Sequence, residues 1–79
     1  MEVLDDLERR LLGLGISAGS FHLGGPRDEC YCMEPVGGAR WAVFYYERGE
    51  RVSRSEFATV TDAAAELERR LLSDPTARR

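Results

Sequence analysis

The chain has 79 residues, 14 acidic and 11 basic side chains, a net charge of −3 and 43% apolar positions. That length accommodates one domain and excludes a TIM barrel, a doubly wound nucleotide fold or an α/β-hydrolase, and the acidic balance argues against general nucleic-acid binding. The longest apolar run, Trp41–Tyr46, is far short of the ~20 residues of a membrane span, and the acidic, helix-patterned start does not resemble a signal peptide, so the chain reads as a small cytoplasmic domain.

Residues 2–14 predict an amphipathic helix. Leu4, Leu7, Leu11 and Leu14 recur at intervals of three and four, with Val3 and Leu12 widening the stripe. Asp5/Arg9 and Asp6/Arg10 have the spacing and order of supporting i,i+4 pairs, and Gly13 and Gly15 supply a stop. Residues 16–23 fit a short first strand, in which Phe21 and Leu23 alternate with Ser20 and His22. Residues 24–28 form a turn by composition. A second strand over 29–34 places Cys30 and Cys32 on one face and Tyr31 and Met33 on the other. Residues 35–38 turn the chain again. Arg40–Glu47, apolar or aromatic throughout its centre, is the strongest strand in the sequence. Glu47-Arg48-Gly49-Glu50 is a hairpin connection, and residues 51–57 return as an edge strand whose charges discourage stray pairing.

Thr59 then opens a second helix with the pattern Thr-x-x-Asp. Val60, Ala63, Ala64, Leu67 and Leu71 form its inward stripe, Glu66/Arg70 pair along it, and Pro75 limits it to about Ser73. The expected fold is α+β in two layers, α-β-β-β(-β)-α: an antiparallel meander with both helices packed on one face. Residues 1–74 form the domain, and 75–79 are expected to be a disordered tail.

The apparent catalytic motifs fail on context. Gly15-Ile16-Ser17-Ala18-Gly19 matches a nucleophile elbow, and Gly13–Ala18 imitates a dinucleotide fingerprint, but both devices need a strand entering and a helix leaving. Here a helix enters. Cys30-x-Cys32 with the distant His22 gives three soft ligands and no second pair, and the cysteines suit a reducing compartment as small buried apolar groups. No enzyme, metal or cofactor is expected. The informative feature is apolar excess. On the central strand Trp41, Val43 and Tyr45 share one face while Ala42, Phe44 and Tyr46 share the other, and helices on one side cover only one set. The second set is therefore expected to be a protein contact surface, with Tyr45, Tyr46 and Arg48, residue types that dominate interface energetics, together at the hairpin.

The segment Tyr31-Cys32 … Trp41-Ala42-Val43-Phe44-Tyr45-Tyr46-Glu47-Arg48-Gly49 … Phe57 … Asp62-Ala63 resembles a group of small actinobacterial proteins. These are the immunity partners of polymorphic toxins of the tuberculosis-necrotizing-toxin type, which hydrolyse NAD. The chain departs from them at Tyr46, where the group carries a small residue such as Ser. The resemblance implies a non-catalytic inhibitor that blocks its toxin's active cleft. The mouth of a pocket that attracts a pyrophosphate is electropositive, so Asp28/Glu29 or Glu47/Glu50 at loop tips would offer complementary charge. The partner surface is then Ala42, Phe44, Tyr46, Glu47, Arg48, Glu50, Asp28 and Glu29. The alternative is a homodimeric adaptor that uses the same apolar face on itself.

Overall fold

Leucine spacing winds Glu2–Gly13 into helix α1 of the computed structural model, which describes residues 2–78. Leu7 and Leu11 are buried along its inward stripe and Leu4 and Leu12 pack beside them. Val3 and Leu14, expected to extend the stripe, are 49% and 42% exposed. Past Gly15 the chain makes one 3-10 turn over Ala18–Ser20 and enters β1 (Phe21–Leu23). Strands β2 (Cys30–Gly37), β3 (Arg40–Glu47) and β4 (Glu50–Phe57) follow, and α2 (Val60–Leu72) completes the order α-β-β-β-β-α. Thr59 caps α2 as its sequence predicts, its hydroxyl oxygen accepting from the Asp62 N–H at 3.1 Å. No helix among the described residues is long and apolar enough to cross a membrane.

The fold is α+β, and its sheet has the order β1-β2-β3-β4. β2/β3 and β3/β4 are antiparallel neighbours, as a meander requires. Pro35, expected in a turn, stays within β2 opposite Trp41, and the register slips between Pro35 and Gly37. A bulge is one of the few places a sheet tolerates a residue without an N–H. β1 corrects the antiparallel expectation: Phe21, His22 and Leu23 pair in parallel with Tyr31, Cys32 and Met33. A tight hairpin cannot join parallel neighbours, so residues 24–29 travel back over one face of the sheet.

That crossover decides what is buried. One face of the sheet receives both helices: Met33 and Val43 are sealed with Leu7, Leu11, Ala63, Leu67 and Leu71, and Tyr31, Trp41 and Phe57 pack at the margin. On the other face Cys30, Cys32, Ala42 and Phe44 form a second buried cluster flanked by Val36 and Tyr46. Ala42 and Phe44 are 0% exposed, which overturns the expectation that they line an open contact surface. The cover comes from two sources, neither of them a helix. The crossover is bound to the sheet through sulfur, with the Arg27 N–H donating to Cys32 Sγ at 3.4 Å and the Cys30 thiol donating to the Arg27 carbonyl at 3.1 Å. Arg51 reaches from β4 across β3: its guanidinium lies 5.1 Å from the centre of the Phe44 ring and 5.7 Å from that of Tyr46. It then meets Glu34 on β2 through two hydrogen bonds of 2.8 and 3.0 Å. The planar cation covers the rings while its fork is spent on a carboxylate.

The end of the chain departs from expectation as well. Asp74 accepts from the Thr76 N–H at 3.0 Å and caps a 3-10 turn over Pro75–Ala77. Ala77 is 2% exposed in the main core, its carbonyl accepts from the Ser17 N–H at 2.8 Å, and Arg78 bridges Ile16. Residues 75–78 are therefore ordered against the domain and not a free tail. Asp-Pro at a turn start is a cap followed by a residue with preset φ, and Ser17 needs a partner that only the returning chain provides. Arg79, the rest of the expected tail, lies outside the described residues.

Candidate functional site

The parallel start of the sheet brings two turns to one end of the molecule. In the β3–β4 hairpin Arg48 and Gly49 have φ of 53° and 78°. Two successive left-handed residues are the mark of a type I′ turn, usually filled by Asn-Gly; glycine takes its place without cost and Arg48 does not. Arg48 is held there in part by the crossover, since its N–H donates to Asp28 Oδ1 at 3.1 Å. Glu29, itself left-handed at φ 57°, donates its N–H to the Tyr46 carbonyl at 2.7 Å. Glu47 faces Glu50 directly across the hairpin, a like-charge pairing that costs stability. Asp28, Glu29, Glu47, Arg48 and Glu50 are thus exposed together at one end, as a contact surface would need. Of the other expected contact residues, Ala42 and Phe44 are internal, and Tyr46 is half-buried, its ring centre 6.2 Å from that of Phe44 in an edge-to-face pair.

Ion pairing divides the acidic side chains: among the described residues Asp5, Glu8, Asp62 and Asp74 form no ion pair, and the same holds for the carboxylates at this end. Asp6, Glu34, Glu56, Glu66 and Glu68 each meet an arginine. Among the described residues no such pair involves Asp28, Glu29, Glu47 or Glu50, whose charges face solvent.

Beside the acidic end, on the helix side of the sheet, lies a cleft of about 600 Å³ between β3, β4 and the end of α2. Tyr31 and Tyr45 form its aromatic wall, with ring centres 4.9 Å apart and edge to face at 69°. Val52, 39% exposed, stands opposite Tyr45 on β4. The Tyr31 hydroxyl donates to Asp74 Oδ2 at 2.9 Å. Burial, then the Asp74 hydrogen bond, raises the Tyr31 pKa; for Tyr45 burial comes first and the carboxylates of Glu47 and Glu29 follow. The alternation of β2 and β3 already placed Tyr31 and Tyr45 on one face. The cleft was not legible because Pro75, which completes it beside Asp74, belongs to the segment expected to be a disordered tail.

The far wall is built on Glu66. It accepts from Arg69 Nε at 2.8 Å and Nη2 at 2.6 Å and from Arg70 Nε at 2.6 Å. Arg70 also donates to the carbonyl of Ser53 at 2.8 Å and the hydroxyl of Ser55 at 3.2 Å, pinning the bulge where Ser53 has a left-handed φ of 55°. The bonds from Arg69, and next those from Arg70, hold the Glu66 carboxyl down at about 2, against an ordinary 4.5. A folded-state value below the unfolded one gives stability that is complete above the unfolded value and is lost as pH falls through the folded one. Thermal midpoints are expected to fall between pH 4.5 and pH 2, and to fall less steeply in Glu66→Gln than in the parent chain when followed by circular dichroism. Parallel curves would contradict this assignment.

The remaining reactive groups are spent on structure. Burial pushes the Cys32 thiol up to about 12, and its sulfur lies 3.7 Å from that of Cys30. Ser17, in the elbow-like pentapeptide, accepts from the Gly19 N–H and opens the 3-10 turn. Among the described residues no three His, Cys, Asp or Glu side chains are grouped to hold a metal ion. No family model, curated protein or solved structure matches the chain.

Proposed function

We propose that this chain is a non-catalytic protein-binding domain, an immunity protein that binds and blocks a NAD-hydrolysing toxin in the cytoplasm. The observation that carries the reading is the convergence of Asp28, Glu29, Glu47 and Glu50 at one exposed end without ion-pair partners, on two turns cross-linked by Arg48 and Tyr46 backbone hydrogen bonds. Placing Glu47 against Glu50 stores repulsion. An electropositive partner relieves that repulsion, and rigid turns reduce the ordering cost of association. The mouth of a site that binds a dinucleotide pyrophosphate has the complementary sign, which favours fast docking. The resemblance of the Trp41–Gly49 segment to toxin immunity proteins points the same way. Two buried free thiols, Cys30 and Cys32, agree with a reducing compartment.

The homodimer reading required the apolar face of Ala42 and Phe44, and the crossover and Arg51 close that face. A direct test follows NAD loss by a toxin of this type while the protein is added. Inhibition that saturates near equimolar ratio is expected, with clear weakening in Glu47→Arg/Glu50→Arg and as salt is raised. Undiminished hydrolysis at molar excess would refute the proposal.

A further inference from the structure

We propose that the Tyr31–Tyr45 cleft is the subsite that takes a basic side chain, arginine or lysine, of the protein partner; the inference rests on the acidic-end binding reading above. Position is the first argument. Tyr45 and Glu47 point to the same face of β3, and their neighbours across the hairpin are Val52 and Glu50. A segment lying along this face passes from the unpaired carboxylates directly onto the aromatic wall. A smaller recess lined by Glu29, Tyr31, Tyr45 and Asp74 joins the two regions.

Electrostatics is the second argument. Aromatic faces attract cations through the ring quadrupole. The Tyr45 ring lies in the negative field of Glu47, Glu29 and Asp74, which add to burial, the larger cause, in raising its pKa. Asp74 is held by Tyr31 and Thr76, both neutral donors, and among the described residues no ion pair involves it, although Arg69 and Arg70 line the same cleft. The cleft also adjoins the C-terminal end of α2, the negative end of the helix dipole. Arg69 and Arg70 are the opposing charges. Both bind Glu66, and Arg70 is further committed to Ser53 and Ser55. Of the carboxylates, Asp74 lines the cleft itself, Glu29 lines the adjoining recess, and Glu47 lies two residues along β3 from Tyr45. A guanidinium or ammonium faces ring and carboxylate, while exposed Val52 contacts its methylene stem.

The test uses the whole chain, isotope-labelled, titrated at low salt with N-acetyl-triarginine amide and with its neutral tricitrulline analogue while chemical shifts are followed. The triarginine peptide is expected to give saturable shifts of the Tyr31 and Tyr45 rings and the Val52 methyls, and the tricitrulline peptide is not. Tyr45→Leu is expected to weaken binding about three- to fivefold, and Tyr45→Phe to retain it, because the ring face and not the hydroxyl does the binding. Val52→Arg, at an exposed position that leaves the core intact, is expected to abolish the ring shifts by occupying the cleft with its own cation. Shifts confined to residues 28–29 and 47–50, equal binding of the two peptides, or unchanged affinity in Val52→Arg would overturn the subsite. The first of these outcomes leaves the acidic-end reading standing, and that reading fails separately if NAD hydrolysis is not inhibited. An absence of shifts anywhere in the chain overturns the subsite and the acidic end together.

Discussion

Phe44→Ala is expected to lower the unfolding free energy by about 3–5 kcal/mol, enough to leave so small a domain largely unfolded at room temperature. At an open sheet face the same change would cost no more than about 0.5 kcal/mol, so chemical denaturation separates the two descriptions of this residue. The large value follows from how the ring is enclosed. Phe44 is 0% exposed and packs with Cys30, Cys32 and Ala42 below the crossover and below Arg51. The cavity left by the ring collapses only if Arg51 moves inward, and Arg51 is tied by two hydrogen bonds to Glu34. Phe44→Leu keeps most of the volume and is expected to cost about 1–2 kcal/mol. A Phe44→Ala protein that melts like the parent chain would mean that the back face is open in solution.

Most of the regular elements were legible because their signals are periodic and local. The leucine spacing of α1, the Thr59 cap of α2 and the Arg48-Gly49 hairpin each depend on a few neighbouring residues, and each falls where its sequence predicts. What the sequence concealed was non-local. β1 has three residues, too few to carry a signal for direction, and its parallel pairing with β2 is a property of the whole sheet. From that pairing follow the crossover, the closure over Phe44 and the meeting of Asp28 with Arg48. Both faces of β3 are apolar in sequence and buried in the fold, but the helices cover only one of them. An arginine stretched over an aromatic ring and a loop bound through thiols do the covering, and neither has a hydrophobic signature. The acidic residues of both turns were visible as candidates. Their convergence, and the cleft completed by Asp74, were not, because these depend on the path of residues 24–29 and on the docking of residues 75–78.

Leu67→Ala is expected to cost about 2–5 kcal/mol, and Leu14→Ala no more than about 0.5 kcal/mol, although both leucines fall on amphipathic stripes of the sequence. Leu67 is 0% exposed in the main core among Leu7, Leu11, Met33, Val43 and Leu71, whereas Leu14 is 42% exposed. The hexapeptide Leu-Glu-Arg-Arg-Leu-Leu occurs at 7–12 and again at 67–72, which makes the comparison sharper. In both copies the leucines at positions one and five are buried and the one at position six is half-buried, so the repeat is one local solution used twice to bury a stripe. Its arginines differ: the side chain of Arg10 is 64% exposed and crosses to Glu68 of the other copy, while that of Arg70 is 14% exposed and holds the β4 bulge. Leu11→Ala, at the equivalent of Leu71, is 0% exposed in the same core and should match Leu67→Ala within the same range. Urea denaturation of the three variants checks this. Equal stability of Leu67→Ala and Leu14→Ala would remove α2 from the core and with it the far wall of the cleft.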